Sequence, residues 1–166
     1  MTDRRVERWI WAAPLVFLIH DGEEIATIVP WLQAHRAQLP AIVQPITTVT
    51  TDQFMLAVGI LFVGVLLAAA HGASRARHGA RSIPFLLIAG ALIGNGVTHV
   101  MQAMFFGGYT PGVVTAVLLV LPYGVVLGRA LEVSRLASRR TWLGAIAVGA
   151  IIQVPIIVAL LLAVRN

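Results

Sequence analysis

His20, Glu23 and Glu24 stand at i, i+3 and i+4 inside the run Phe17-Leu18-Ile19-His20-Asp21-Gly22-Glu23-Glu24-Ile25, which otherwise reads as a membrane span. On a helix this spacing gathers them on one face within a single turn. Asp21 points elsewhere, and Gly22 trims one side so that another helix or a ligand can approach. Charged side chains at membrane depth cost about 2.5–3.5 kcal/mol each or more, so they are rare and usually face a bundle interior. No arginine falls at this depth, which leaves the acids without a cationic partner. Buried carboxylates in that position take up a proton or hold a metal. With His99 as a second imidazole, the donors suit Zn, Fe or Mn, and His20, Glu24 and His99 form a mononuclear ligand set. A metal-free alternative uses histidine and glutamate as acid and base, in a pocket reached laterally from lipid. The H-E-x-x-H and H-x-x-E-H zinc patterns are absent, and a ferritin-type di-iron site would need two Glu-x-x-His motifs.

The rest of the composition says where such a cluster must live. Hydrophobic residues make up 58% of the 166 and charged residues 11%, against roughly 25% in soluble domains. The mean hydropathy is +0.88. These values predict one all-α polytopic membrane domain in a lipid bilayer. There is no cysteine, so disulfides and thiolate metal sites are excluded. All twelve basic residues are arginine. The net charge of +5 marks membrane orientation, and no nucleic-acid partner is expected. No cleavable signal peptide is expected either, because the first apolar run is long, carries the acidic cluster and lacks a small-residue cleavage site.

Hydropathy predicts five transmembrane helices in one bundle, over about residues 9–29, 53–70, 83–106, 113–131 and 142–164. The first is preceded by a polar leader to Arg8, entered through Trp9 and Trp11, and left through Pro30 and Trp31. The connection 30–51 holds Pro30, Pro40 and Pro45. Its Trp31, Leu32, Leu39, Ile42 and Val43 suit a segment lying on the membrane surface, and Thr51 or Asp52 can cap the next helix. Gly90 and Gly94 give the third span a face for close helix contact. Pro122-Tyr123-Gly124 is expected to interrupt the fourth span, and Gln153 precedes Pro155 in the fifth.

Ten arginines fall on one side of a five-span topology, in the leader, the 71–82 turn and the 129–140 turn; Arg36 and Arg165 fall on the other. This asymmetry predicts a cytoplasmic N-terminus and an external C-terminus in a bacterial inner membrane. At 1.5 Å per residue, His20 lies about 16 Å and Glu24 about 22 Å from Trp9. Asn95 and His99 lie about 18 Å and 24 Å from Ile83, Gln153 about 16 Å from Trp142, and Tyr123 about 15 Å from Val113. The polar residues of four spans therefore converge at one level, displaced toward the outer leaflet. Asn95, His99 and Gln102 share a face. His35, His71 and His78 sit in connections and are expected to be solvated.

His20-Asp21-Gly22-Glu23-Glu24 resembles the signature of the HXXEE family of small bacterial integral-membrane proteins, whose function is unassigned. That family also features a second histidine, here His99, and a Y-x-P-G motif, here Tyr109-Thr110-Pro111-Gly112. The resemblance implies the fold and the choice of residues and supplies no reaction. On the residues themselves, the linker 109–112 is mainly turn chemistry, with Tyr109 able to reach over the cluster.

The reading is an intramembrane metal-dependent or acid–base enzyme (hydrolase, isomerase or oxidoreductase) acting on a lipid-like or hydrophobic small molecule. His20, Glu23, Glu24 and His99 are its reacting groups. Asp21, Asn95, Gln102, Tyr109, Tyr123 and Gln153 support them. The alternatives are a proton-coupled transporter and a non-catalytic assembly partner. Five spans offer no inverted repeat for transport, although a homodimer would restore symmetry. Reporter fusions after residues 45, 78, 109 and 136 should read outside, inside, outside and inside; a reversed or even-span pattern would remove the depth argument.

Overall fold

The computed structural model describes residues 4–39, 41, 44 and 47–164, and every regular element among them is helical. Five long helices make up the bundle: α1 (Arg4–His35), α2 (Thr51–Arg77), α3 (Ile83–Phe106), α4 (Val113–Val133) and α5 (Arg139–Ala163). Helices α2 to α5 are each long and apolar enough to cross a membrane. At 32 residues, α1 is about 48 Å long and exceeds a hydrocarbon core of ~30 Å. Its central acids turn toward the other helices, with Asp21 only 6% exposed.

Several boundaries differ from expectation, each for a local reason. The leader from Arg4 is already helical, and α1 runs through Pro30 and Trp31 to His35. Pro30 costs one backbone hydrogen bond, but the turn beyond it is held from outside. The Trp31 ring stacks on His35 and meets Phe106 edge-on at 4.9 Å, and its Nε1 donates to the Tyr109 carbonyl at 3.0 Å. Beyond His35 the chain continues as a short 3₁₀ turn over Arg36–Gln38. Pro40, Ile42, Val43 and Pro45 lie outside the described residues, as does Arg165. Helix α2 starts at Thr51, so its cap falls one residue before the expected pair. Thr50 is the cap and Gln53 completes a reciprocal capping box.

Helix α4 is not interrupted at Pro122-Tyr123-Gly124. A π-helical turn over Ala116–Val120 precedes the proline, and the chain continues helically to Val133. The wider turn reshapes the ladder just where Pro122 has no N–H to give. Among the histidines of the connections, His71 Nδ1 pairs with Ser82 Oγ at 2.7 Å. His78 and His35 bond the carbonyls of Ser74 and Trp31; His71 and His78 are exposed as expected, and His35 is half-buried.

The most extensive packing joins α3 to α5. A Cβ on Gly90 would lie 2.3 Å from the Ala145 carbonyl oxygen. One on Gly149 would lie 2.3 Å from the Ala91 nitrogen, and one on Gly94 2.7 Å from the Ala150 nitrogen. Backbone therefore meets backbone along this seam, as small residues allow. At one end of the bundle Arg77 Nε pairs with Glu7 Oε1 at 3.7 Å, and at the other the tips of α1 and α3 meet through Trp31 and Phe106. Replacing Gly149 with leucine should destabilise the protein by about 3 kcal/mol or more by overpacking. Gly144→Leu, with no atom within 4 Å of its Cβ, should be tolerated. Thermal unfolding followed by circular dichroism in detergent reads the difference, and equal behaviour of the two variants would contradict the seam.

Candidate functional site

Helix α1 presents His20 and Glu24 one turn apart, and α3 brings His99 against them. His99 Nε2 lies 2.5 Å from Glu24 Oε1, and His20 Nε2 lies 3.7 Å from the same oxygen. One donor atom from each of the three falls within 4.8 Å of the others. The two imidazoles meet edge-on at 5.0 Å. His20 is fully buried and His99 7% exposed. Neither ring nitrogen of His99 has a hydrogen-bond partner among the described residues; the approach to Glu24 is close but not aligned as a hydrogen bond.

The tautomer of His20 follows from its surroundings. Thr115 Oγ1 donates its proton to Glu23 Oε2 at 2.6 Å. The 2.8 Å contact between His20 Nδ1 and Thr115 Oγ1 must then be donated by the histidine. His20 Nε2 is left with its lone pair turned inward, where Asn95 Nδ2 donates to it at 3.1 Å and reaches Glu24 Oε1 at 3.5 Å. A carboxylate, a hydroxyl and an imidazole are thus linked in series behind a nitrogen whose lone pair Asn95 now engages and would release to a ligand or a proton.

Glu23 faces away from the triad and caps α4. Its carboxylate accepts from the backbone N–H groups of Val114 (3.3 Å) and Thr115 (2.8 Å) and from the Tyr109 hydroxyl (2.9 Å). Charge at a helix N-terminus meets both unsatisfied donors and the helix dipole. Partial burial, then the bond to Glu23 and the charge of the two glutamates, holds the Tyr109 phenol above its ordinary pKa, so it remains a donor. The geometry thus gives Glu23 a positioning task in place of the proton-transfer one expected from its spacing.

The 109–112 linker does more than turn the chain. Thr110 is fully buried and donates to the His99 carbonyl at 3.3 Å. Gly112 has φ +82°, and a Cβ there would lie 3.0 Å from Glu24 Oε1, His20 Cε1 and His99 Cε1 alike. The glycine backbone therefore roofs the triad, both because φ is positive and because no side chain fits.

Of the other expected residues, Asn95 and Tyr109 join the site. Asp21 and Gln153 instead line an adjoining cavity of about 300 Å³ between α1, α2, α3 and α5, which also reaches Glu24 and Asn95. Neither histidine lines it, so the expected apolar pocket abuts the triad through Glu24 alone. Gln102 is exposed, with no bond to the cluster. Tyr123 is not at the site: its hydroxyl donates to the Trp9 carbonyl at 2.9 Å, eleven residues or about 16 Å along α1 from His20. The expected common level failed there because α4 enters the site at Thr115, near its own start. Thr115 and Gly112 were missed as site residues. The signal for Thr115 was a hydroxyl two residues into an otherwise aliphatic span, just past Gly112.

The fold and site together define a helical membrane protein with a buried two-histidine, one-carboxylate cluster beside an apolar cavity. The chain belongs to the HXXEE family, described as a protein of unknown function with an HXXEE motif, which it matches over residues 11–127. No curated protein and no solved structure matches it. Helix α5, which contributes Gln153 to the cavity, lies beyond the matched residues.

Thr115→Val should remove the partner of both His20 Nδ1 and Glu23, destabilising the protein by about 1–3 kcal/mol, with Thr115→Ser close to the parent. Denaturant or thermal unfolding checks this. Equal stability of Val and Ser variants would show that the hydroxyl links nothing.

Proposed function

We propose that the chain is an intramembrane enzyme whose reacting centre is His20, Glu24 and His99, holding a divalent Zn, Fe or Mn ion and acting on a hydrophobic small molecule. The observation that carries this reading is the convergence of three donor atoms within 4.8 Å beneath Gly112, two of them nitrogens on buried imidazoles. The donor chemistry fits. Two histidines and one carboxylate with an open position are the ligands of catalytic zinc and of non-haem iron sites. The unpartnered nitrogens of His99 suit a cation as their partner, and at His20 Nε2 the Asn95 amide would give way to it. Such an ion supplies Lewis acidity, water activation or oxygen chemistry, which leaves hydrolase, isomerase and oxidoreductase roles open.

The chain's own residues supply the rest. Glu23 and Thr115 hold the His20 ring in one tautomer, and Asn95 orients His20 Nε2 and Glu24 Oε1. Gly112, Pro111 and Thr110 are buried and keep water from the outer face of the triad. Glu24 is shared by the triad and the cavity, so it is the group placed to take a proton from a molecule lying there. The close contact of Glu24 Oε1 with His99 Nε2 favours a second reading, in which the pair acts as a metal-free acid–base dyad.

Placement in a bacterial inner membrane with a cytoplasmic N-terminus is part of the same proposal. The arginine distribution supports it, together with the Arg77–Glu7 pair that sets the leader beside the 71–82 turn. Metal analysis of purified protein should find near-stoichiometric Zn, Fe or Mn, lost in His20→Ala, Glu24→Ala and His99→Ala. Thr115→Val should weaken metal affinity roughly 10–100-fold, as loss of a ligand's outer partner does. Metal-free protein whose stability ignores chelators would overturn the metal and leave the dyad.

A further inference from the structure

The cavity beside Glu24 has a chemical polarity of its own. Its walls are aliphatic, with Ile60, Leu61 and Val65 from α2 and Ile156 and Ile157 from α5. Ile60 is 48% and Ile156 50% exposed, so the mouth opens between α2 and α5 on the surface that faces lipid. Gly64 lies on the wall with no atom within 4 Å of where its Cβ would be. At the inner end stand Asp21, Glu24, Asn95 and Gln153, and among the described residues no basic side chain lines the space.

Most of the unused hydrogen-bonding capacity at that end accepts. Asp21 is 6% exposed and pairs with no other side chain among the described residues. Asn95 spends both Nδ2 hydrogens on His20 and Glu24 and keeps its carbonyl oxygen, while Gln153 gives one Nε2 hydrogen to Thr98 and keeps its carbonyl oxygen and one N–H. A phosphate or carboxylate would meet carboxyl groups and amide oxygens there, with no cation to offset the cost. A hydroxyl or an amine would donate to them. The volume of about 300 Å³ is at the lower end of small-ligand pockets (~300–1,000 Å³). At ~30 Å³ per methylene, about that of a liquid water, it holds one chain of about ten carbons and has no room for a second.

We infer that the cavity binds a single-chain amphiphile with a hydrogen-bond-donating head, a long-chain alcohol or amine, entering from the bilayer between α2 and α5 and placing its head carbon beside Glu24. This rests on the reading of the triad as the reacting centre and names the substrate class it acts on. Asp21, Asn95 and Gln153 then set specificity by accepting from the head.

The test is photolabelling of the full-length protein in lipid nanodiscs with a diazirine-bearing decanol, with the adducts mapped by mass spectrometry. Adducts should fall on the α2 and α5 residues at the mouth. Unlabelled decanol and decylamine should compete, and decanoate should compete at least tenfold less well. Gly64→Trp should reduce labelling at least tenfold, and Gly59→Trp, outside the cavity, should leave it intact. Should Gly64→Trp fail to fold, Ile60→Trp at the mouth reads the same blockage. Adducts elsewhere, labelling that ignores both blocking variants, or equal competition by decanoate would overturn the inference. Metal content separates the two readings. An unmutated protein that holds metal and takes no label defeats the cavity alone, and an unmutated protein that takes label and binds no metal defeats the metal centre alone.

Discussion

The carboxylate of Glu23 on the N-terminus of α4 is the contact on which the site depends. It joins the middle of α1 to the start of α4, and everything between them is set by it. With two backbone donors of α4 fixed, Thr115 comes within reach of His20 Nδ1 and Gly112 settles above the imidazoles. The hydroxyl of Thr115 can donate once, and the carboxylate takes that proton. The histidine therefore has no choice of tautomer. A charge that would be costly in an apolar bundle is offset by a helix dipole and four donors, and in return it orients a neighbour.

The triad itself carries the opposite arrangement. Glu24 and His99 lie closer than two groups indifferent to each other would, yet they do not hydrogen-bond. In an interior where unpartnered polar atoms cost about 1–3 kcal/mol, such a cluster persists only if something else repays the cost. A cation shared by the three groups does so, and so does a proton shared by two. Both make Glu24 the pivot, because it alone of the three also borders the cavity.

The remaining helices make room for this. Along α3 and α5 glycine and alanine let the backbones touch, which seals one side of the bundle tightly. Between α2 and α5 the packing is far sparser, and the cavity opens there. Close packing on one seam and looseness on the next place an apolar hollow beside the polar cluster without exposing the cluster to water. The π turn at Ala116–Val120 follows directly on Thr115, so the segment that bears the hydroxyl is also where α4 departs from regular geometry.

The sequence by itself determined the class of protein and the chemistry-bearing side chains. Low charge and long apolar runs leave a membrane bundle as the stable option, and the i, i+3, i+4 spacing makes His20, Glu23 and Glu24 neighbours on any helix. Side-chain direction across helices is not local, and there the reading reached less far. The i, i+4 spacing singled out Glu24 as the ligand beside His20 but left both glutamates as proton-transfer groups. That Glu23 caps a helix instead follows from the rotation and register of α1 against α4, which send the two to different partners. Gln102 shares a face with Asn95 and His99 by residue count yet is exposed, and Tyr123 misses the site in depth because α4 enters the cluster at Thr115 and not at mid-span. Gly112 looked like a turn residue, and it is one. That it also roofs the cluster was decided by where the turn falls in three dimensions, which the tertiary structure alone fixes.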